Sequence, residues 1–130
     1  MVIPKFVRNA LLNHPITIFG DGKQSRCFGD VADITDGMIK LMNTKKAEGQ
    51  IFNIGNDKEI TIEALAQKIK KMAGSNSKIE FIKYEDAYEE GFEDMRHRKP
   101  DLTKIKEYID YKPKYNLDQI LERIITYFEK

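Results

Sequence analysis

The chain has 130 residues, 41% of them apolar, which is enough for one domain with a modest core. Its 22 basic and 21 acidic side chains leave a net charge of +1, so no global field points to a nucleic acid or a membrane surface, and a small ligand or a protein is the expected partner. The single Cys27 excludes an intrachain disulfide, and no stretch reads as a signal peptide or a membrane span, so a reducing, cytoplasmic setting is the default.

The chain opens on Met1-Val2-Ile3-Pro4, already apolar and periodic, with no leading strand or glycine-rich nucleotide loop. It reads as the later portion of something longer. Pro4 suits a first helical turn, and Phe6, Val7, Ala10 and Leu11 share a face before Asn13-His14-Pro15 ends the helix. Ile16 to Phe19 is β-branched and aromatic and reads as a short strand. Gly20-Asp21-Gly22 is a turn, because glycine accepts positive φ, and Arg26 beyond it offers a planar fork suited to a phosphate. Phe19 and Phe28 bracket the turn and can flank a planar base. A hairpin-like turn with a surface arginine is the alternative for this stretch, and taken alone the stretch favours it.

Asp30 or Asp33 can cap a second helix with Ile34, Met38, Leu41 and Met42 at helical spacing, and Gly37 inside it would permit close packing. Residues 43–50 form a charged loop, and Ile51-Phe52-Asn53-Ile54-Gly55 reads as a strand. Thr61 is an N-cap for Ile62 to Ala73, with Ile62, Leu65, Ala66, Ile69 and Met72 in one stripe and Gly74 as the stop. Lys78 to Lys83 alternates as a strand, and an acidic run from Tyr84 to Asp94 then switches to Arg96-His97-Arg98-Lys99. Pro100 and Asp101 can open a short helix burying Leu102, Ile105 and Ile109. Asn116 with Gln119 resembles a capping box for a last helix that buries Leu117, Ile120, Leu121, Ile124, Ile125 and Phe128. Alternating short strands and helices without a linker indicate one compact α/β unit.

Arg98-Lys99-Pro100-Asp101 can place a cation on a phosphate and a carboxylate on a ribose hydroxyl. Its alternative, favoured when the motif stands alone, is that Asp101 caps the helix while Arg98 pairs with Glu93 or Asp94. Tyr108 and Lys112 match a Tyr-x-x-x-Lys spacing, but Pro113 ends the helix and the match is discounted. His14 and His97 have no partners at metal-ligand spacing. Arg26 beside Cys27 can depress its pKa, yet no histidine is placed as a base, so Cys27 reads as a small filler.

Together, Val2-Ile3-Pro4-Lys5-Phe6, the stretch Ile16 to Arg26, Asp30-Val31-Ala32-Asp33, Phe52-Asn53-Ile54-Gly55 and Arg98-Lys99-Pro100-Asp101 resemble the C-terminal half of an extended short-chain dehydrogenase. The resemblance is to the NAD-dependent sugar-nucleotide epimerases, dehydratases and decarboxylases, with UDP-glucuronate decarboxylase and UDP-glucose 4-epimerase nearest in flavour. It implies an α/β fold: a small substrate-binding subdomain plus C-terminal elements of a Rossmann-type enzyme whose N-terminal dinucleotide-binding half is missing. It also implies a pocket for a UDP-sugar or related nucleotide sugar, with Arg26 and Arg98 on the pyrophosphate, Asp101 on the ribose, Phe19 and the backbone near Ile18 on the base, a Val2 N–H on the phosphates, and Gln24 among the binding residues. The family often carries a tyrosine where Phe28 stands, so any hydroxyl contact there is absent.

In the family, NAD transiently oxidises the sugar at C4. The NAD loop, the active-site Ser/Thr and the catalytic Tyr-x-x-x-Lys lie in the N-terminal half, so by this resemblance the fragment binds no cofactor and is inactive alone. The helix after Asp33 and the strand at 52–54 would pack on the dinucleotide-binding sheet, so exposed apolar surface is expected, covered by the N-terminal Rossmann half or in a homo-oligomer. The alternative is a stand-alone module that binds nucleotides or protein partners without catalysis.

Overall fold

The structure is a computed structural model that describes residues 1–87 and 95–130. Most of the acidic run, including Glu89, Glu90, Glu93 and Asp94, lies outside the described residues. The backbone groups into two compact units: Met1–Arg26 with Ile60–His97 and Leu121–Lys130, and Cys27–Glu59 with Arg98–Ile120. Each unit is assembled from separate stretches of chain, which is why no linker composition marks the division.

In the first unit, helix α1 (Val2–Leu11) buries Ile3, Phe6, Val7 and Ala10, the stripe that its apolar spacing dictates. It leads to strand β1 (Ile16–Phe19), whose Ile16 and Ile18 are wholly buried. Strand β2 (Ser25–Cys27) follows the glycine turn, and strand β3 (Glu59–Thr61) runs directly into helix α3 (Ile62–Met72). The Thr61 hydroxyl accepts from Ala64 N–H at 3.2 Å, the N-cap bond expected of it, while Met72, placed in the apolar stripe by spacing, is exposed in the helix's last turn. Helix α1 packs on α3, and both pack on β1.

Strand β4 (Ile79–Ile82) pairs with β1 in parallel, Ile16 beside Ile79 and Phe19 beside Ile82. The hairpin-like alternative for the glycine turn is thereby excluded, since the neighbour of β1 comes from far along the chain. The short helix α4 (Tyr84–Ala87), unexpected in a charged run, follows at once. Strand β5 (His97–Arg98) completes a three-stranded sheet of order β3-β2-β5. Pairs this short leave no periodicity to read, and the sequence does not announce them.

In the second unit, helix α2 (Val31–Met42) is capped by Asp30, whose carboxylate accepts from Ala32 N–H at 2.8 Å. Asp33, the other candidate cap, is buried and accepts from the N–H groups of Lys114 and Tyr115 at 3.0 and 3.1 Å. Gly37 lets two neighbours close in, for a Cβ there would come within 2.6 Å of Ile54 Cδ1 and 2.9 Å of the Tyr111 ring. Met38 and Met42 are exposed, as are Val31 and Ile39, so this helix presents an apolar face to solvent.

Residues 51–55 do not form the expected strand. Phe52 and Ile54 turn toward the core and Ile51 and Asn53 outward, but no described strand pairs with this stretch. Helix α5 (Thr103–Ile109) contributes Ile105 to a core with Leu102 and Tyr111, and the Tyr111 hydroxyl donates to Gly55 O at 3.0 Å. Helix α6 (Leu117–Phe128) starts with the capping box, Asn116 and Gln119 exchanging bonds of 2.9 and 3.0 Å. It buries Ile120, Leu121 and Ile125, whereas Phe128, expected inward, is 41% exposed beside Tyr127 in the last turn.

Candidate functional site

A cavity of about 390 Å³ opens in the first unit at the N-terminal end of α1, the end of β1 and the start of β2. Val2, Phe19, Gln24 and Arg26, four of the residues singled out from sequence, line it, together with Met1, Lys5, Phe6, Thr17, Ile62 and Tyr84. The geometry follows from the elements. Helix α1 begins at Val2 with no acidic residue in its first turn and no side-chain cap on its N–H groups, so its positive end faces this region.

The glycine turn is fixed by α3: Gly22 O and Gln24 O accept from Glu63 N–H and Ile62 N–H, both at 3.0 Å. Gly20 and Gly22 have φ of 74° and 71°, as the sequence requires of this turn. Arg26 leaves the turn on β2, half-buried, and its Nη1 donates to Ser25 O and Met95 O at 2.7 Å each, which anchors the guanidinium at the wall. Lys5 Nζ lies 5.2 Å from the centre of the Phe19 ring. Among the described residues, the lining therefore carries two cations, three aromatic rings and no carboxylate.

The Ile18 side chain belongs to the core, with none of it exposed. Its backbone is committed as well. Ile16 N–H and Gly20 N–H donate to Lys78 O and Ile82 O across the ladder with β4, and hydrogen-bonding direction alternates along a strand, so Ile18 shares that side. Thr17 and Phe19 turn their backbone groups to the opposite edge, where Phe19 O accepts from Gln24 Nε2 at 2.8 Å. Gln24 Nε2 also donates to the Tyr84 hydroxyl at 3.0 Å, while Gln24 Oε1 is buried with no partner among the described residues.

Arg98 and Asp101 belong to the second unit. Arg98 is exposed on β5, and the acidic residues that were its alternative partners lie outside the described residues. Asp101 lines a separate cavity of about 320 Å³ with Asp57, Lys99, Lys106 and neighbours. Asp101 Oδ1 accepts from Thr103 N–H at 2.9 Å, one residue ahead of the helix N-cap Leu102, which itself has no side-chain cap bond, and the bond to Thr103 holds the Asp101 carboxyl below its ordinary value. Lys106 does the same for Asp57 across 2.9 Å.

Phe28 is half-buried in the second unit and does not line the first unit's cavity. Cys27 agrees with a small filler: burial, with Glu59 adding to it, pushes the thiol up, so the depression that Arg26 could have caused is not seen. His97 meets the Ser25 hydroxyl at 2.9 Å, and no metal-binding group of His, Cys, Asp and Glu occurs among the described residues. No helix among the described residues is long and apolar enough to cross a membrane. The discounted Tyr-x-x-x-Lys match dissolves as expected. Tyr108 sits on α5, whereas Lys112 lies beyond the end of that helix, just before Pro113, and pairs with Asp110 at 3.0 Å.

The glycine turn does not fit NAD, which the resemblance implies for the parent enzyme. Gly20-Asp21-Gly22 lacks a third glycine, leads to β2 instead of a helix, and spends the Gly22 carbonyl on α3. Sequence reading missed Lys5, Tyr84 and Thr17. Tyr84 reaches the cavity through the parallel register of β4 on β1, which no local pattern encodes, whereas Thr17 could have been found from strand alternation alone.

Comparison with known proteins agrees over nearly the full chain. A family model described as GDP-mannose 4,6 dehydratase matches residues 1–124. The UDP-N-acetyl-alpha-D-glucosaminuronate decarboxylase of Bacillus cytotoxicus is 40% identical over 129 residues, covering 99% of this chain and 40% of that protein. UDP-glucuronic acid decarboxylase 1 of Arabidopsis thaliana is 36% identical over 98% of this chain and 27% of its own length. The crystal structure of UDP-glucose 4-epimerase with UDP-glucose from Thermotoga maritima superimposes with a TM-score of 0.87 at 26% identity, covering 99% of this chain and 39% of that one. The chain thus spans between about a quarter and two fifths of these relatives. With a Rossmann-type α/β architecture shared along its length, it belongs to the GDP-mannose 4,6-dehydratase family of extended short-chain dehydrogenases, the sugar-nucleotide epimerases, dehydratases and decarboxylases.

Proposed function

We propose that this chain holds the nucleoside-diphosphate end of a sugar nucleotide, a UDP-sugar in the first instance, for an NAD-dependent epimerase, dehydratase or decarboxylase. The observation that carries the reading is the cavity of the first unit, with aromatic walls, two cations, the positive end of α1 and no carboxylate among the described lining residues. A base suits Phe19 and Thr17, which alternate along β1 on the side away from its ladder with β4 and both line the cavity. A diphosphate suits Arg26, Lys5 and the Val2 N–H. Arg98 and Asp101 take the roles the resemblance implies, a second guanidinium for the pyrophosphate and a carboxylate for the ribose hydroxyls.

The substrate class comes from the relatives, named as UDP-sugar decarboxylases and a UDP-glucose 4-epimerase. What this chain contributes is orientation: gripping the nucleotide fixes the sugar for chemistry carried by groups outside these 130 residues, which is how remote binding energy serves catalysis. The chain alone therefore binds and does not turn over. A cytoplasmic setting and a covering surface for α2, from the rest of the parent enzyme or a second copy, belong to the same reading.

Calorimetric titration with UDP tests it. The folded chain should bind, and Arg26→Ala and Arg98→Ala should each weaken binding roughly ten- to hundredfold, the effect of losing a charge-assisted hydrogen bond. No binding by the folded chain would leave a protein-interaction module as the better account.

A further inference from the structure

We infer that Tyr84 is a base-contacting residue of this cavity, its ring forming a wall against which the planar base lies. The inference rests on the nucleotide reading above and adds a residue that the comparisons do not assign.

Tyr84 is the first residue of α4, two residues beyond the end of β4. The parallel register sets Ile82 beside Phe19, so the chain leaving β4 delivers Tyr84 to the turn that leaves β1. There its ring lies against Gly20, where a Cβ would overlap Tyr84 Cε2 and crowd Cζ. Gly20 is thus required twice, for its positive φ and for the space its missing side chain leaves.

The hydroxyl end is tied down. Gln24 is only 6% exposed, and its Nε2 donates at once to the Tyr84 hydroxyl and to Phe19 O. Phe19 O can only accept, so the amide nitrogen must face it and the carboxamide has one orientation. One buried amide therefore links two aromatic residues that line the same cavity, Phe19 and Tyr84. Gln24 Oε1 is closed off from solvent without a partner among the described residues, a cost that the fold bears to keep this link. Gln24 is accordingly a positioning residue, acting through Phe19 and Tyr84. A tyrosine whose polar tip is held by the protein offers its ring to an apolar or planar ligand, and stacking is available to any base because each has a π-face.

The test is titration of the folded chain, checked by circular dichroism, with UDP and with inorganic pyrophosphate, alongside the ultraviolet difference spectrum of the uracil ring. Tyr84→Leu should weaken UDP tenfold or more, leave pyrophosphate within about twofold, and abolish the uracil spectral change at saturating UDP. Tyr84→Phe should keep that spectral change. Unchanged UDP affinity in Tyr84→Leu, equal losses for UDP and pyrophosphate, or a retained spectral change would overturn the inference while the nucleotide reading stands. Failure of the unsubstituted chain to bind UDP would overturn both.

Discussion

Gly20, Gln24 and Arg26 show how much of the site a short stretch encodes. Gly20→Ala should destabilise the chain by about 1–2 kcal/mol from its left-handed backbone alone, with more from the displaced Tyr84 ring. Gly49→Ala is the control, since Gly49 has a φ of 69° but nothing within 4 Å of an added Cβ. Urea unfolding of the two variants should show the larger loss for Gly20→Ala; equal losses would deny the Tyr84 contact. Acid should also weaken the fold. Arg96 first, and Lys23 N–H second, hold the Asp21 carboxyl below its ordinary value, and Asp57 and Asp101 are lowered in the same sense. A carboxyl whose folded pKa is depressed adds stability that is present above the unfolded value, about 3.9, and is lost as pH falls through the folded one. Asp21→Asn should therefore show a smaller drop in melting temperature between about pH 6 and pH 3 than the unsubstituted chain. Arg26 and Phe19 were legible only once the turn chemistry was joined to motifs elsewhere in the chain, since the stretch alone favoured a surface arginine. Tyr84 was not, because its place depends on the pairing of two strands distant along the chain.

Caps and apolar stripes made the helices readable. Thr61, Asp30 and the Asn116–Gln119 box each make the bond their residue type favours. Thr61→Ala should cost about 1 kcal/mol, a few degrees in melting temperature, and because α3 also holds Gly22 O and Gln24 O it should loosen the glycine turn. Faster amide exchange at Ile62 and Glu63 would show that coupling; unchanged exchange would deny it. The strands were harder to read. β2, β3 and β5 have three residues or fewer, too few for alternation to register. Residues 51–55 alternate correctly yet pair with no described strand, because alternation reports which side of a segment is buried and says nothing about a ladder partner.

Two units arise from one chain, each with its own cavity, and α2 carries an apolar face made of Val31, Met38, Ile39 and Met42. That face should drive concentration-dependent self-association, visible by sedimentation, and Met38→Glu with Met42→Glu should suppress it without lowering the melting temperature. Unchanged association would place the contact elsewhere. The α/β class and the family were legible from motifs spread along the chain in order, whereas the division into units was not, because it depends on contacts between distant stretches. The nucleotide reading is tested most directly by titrating isotope-labelled chain with UDP and following each backbone amide by NMR. The largest shifts should fall on Val2, Thr17, Phe19, Gln24, Arg26 and Tyr84. Shifts confined to residues away from that cavity, or none at all, would contradict it.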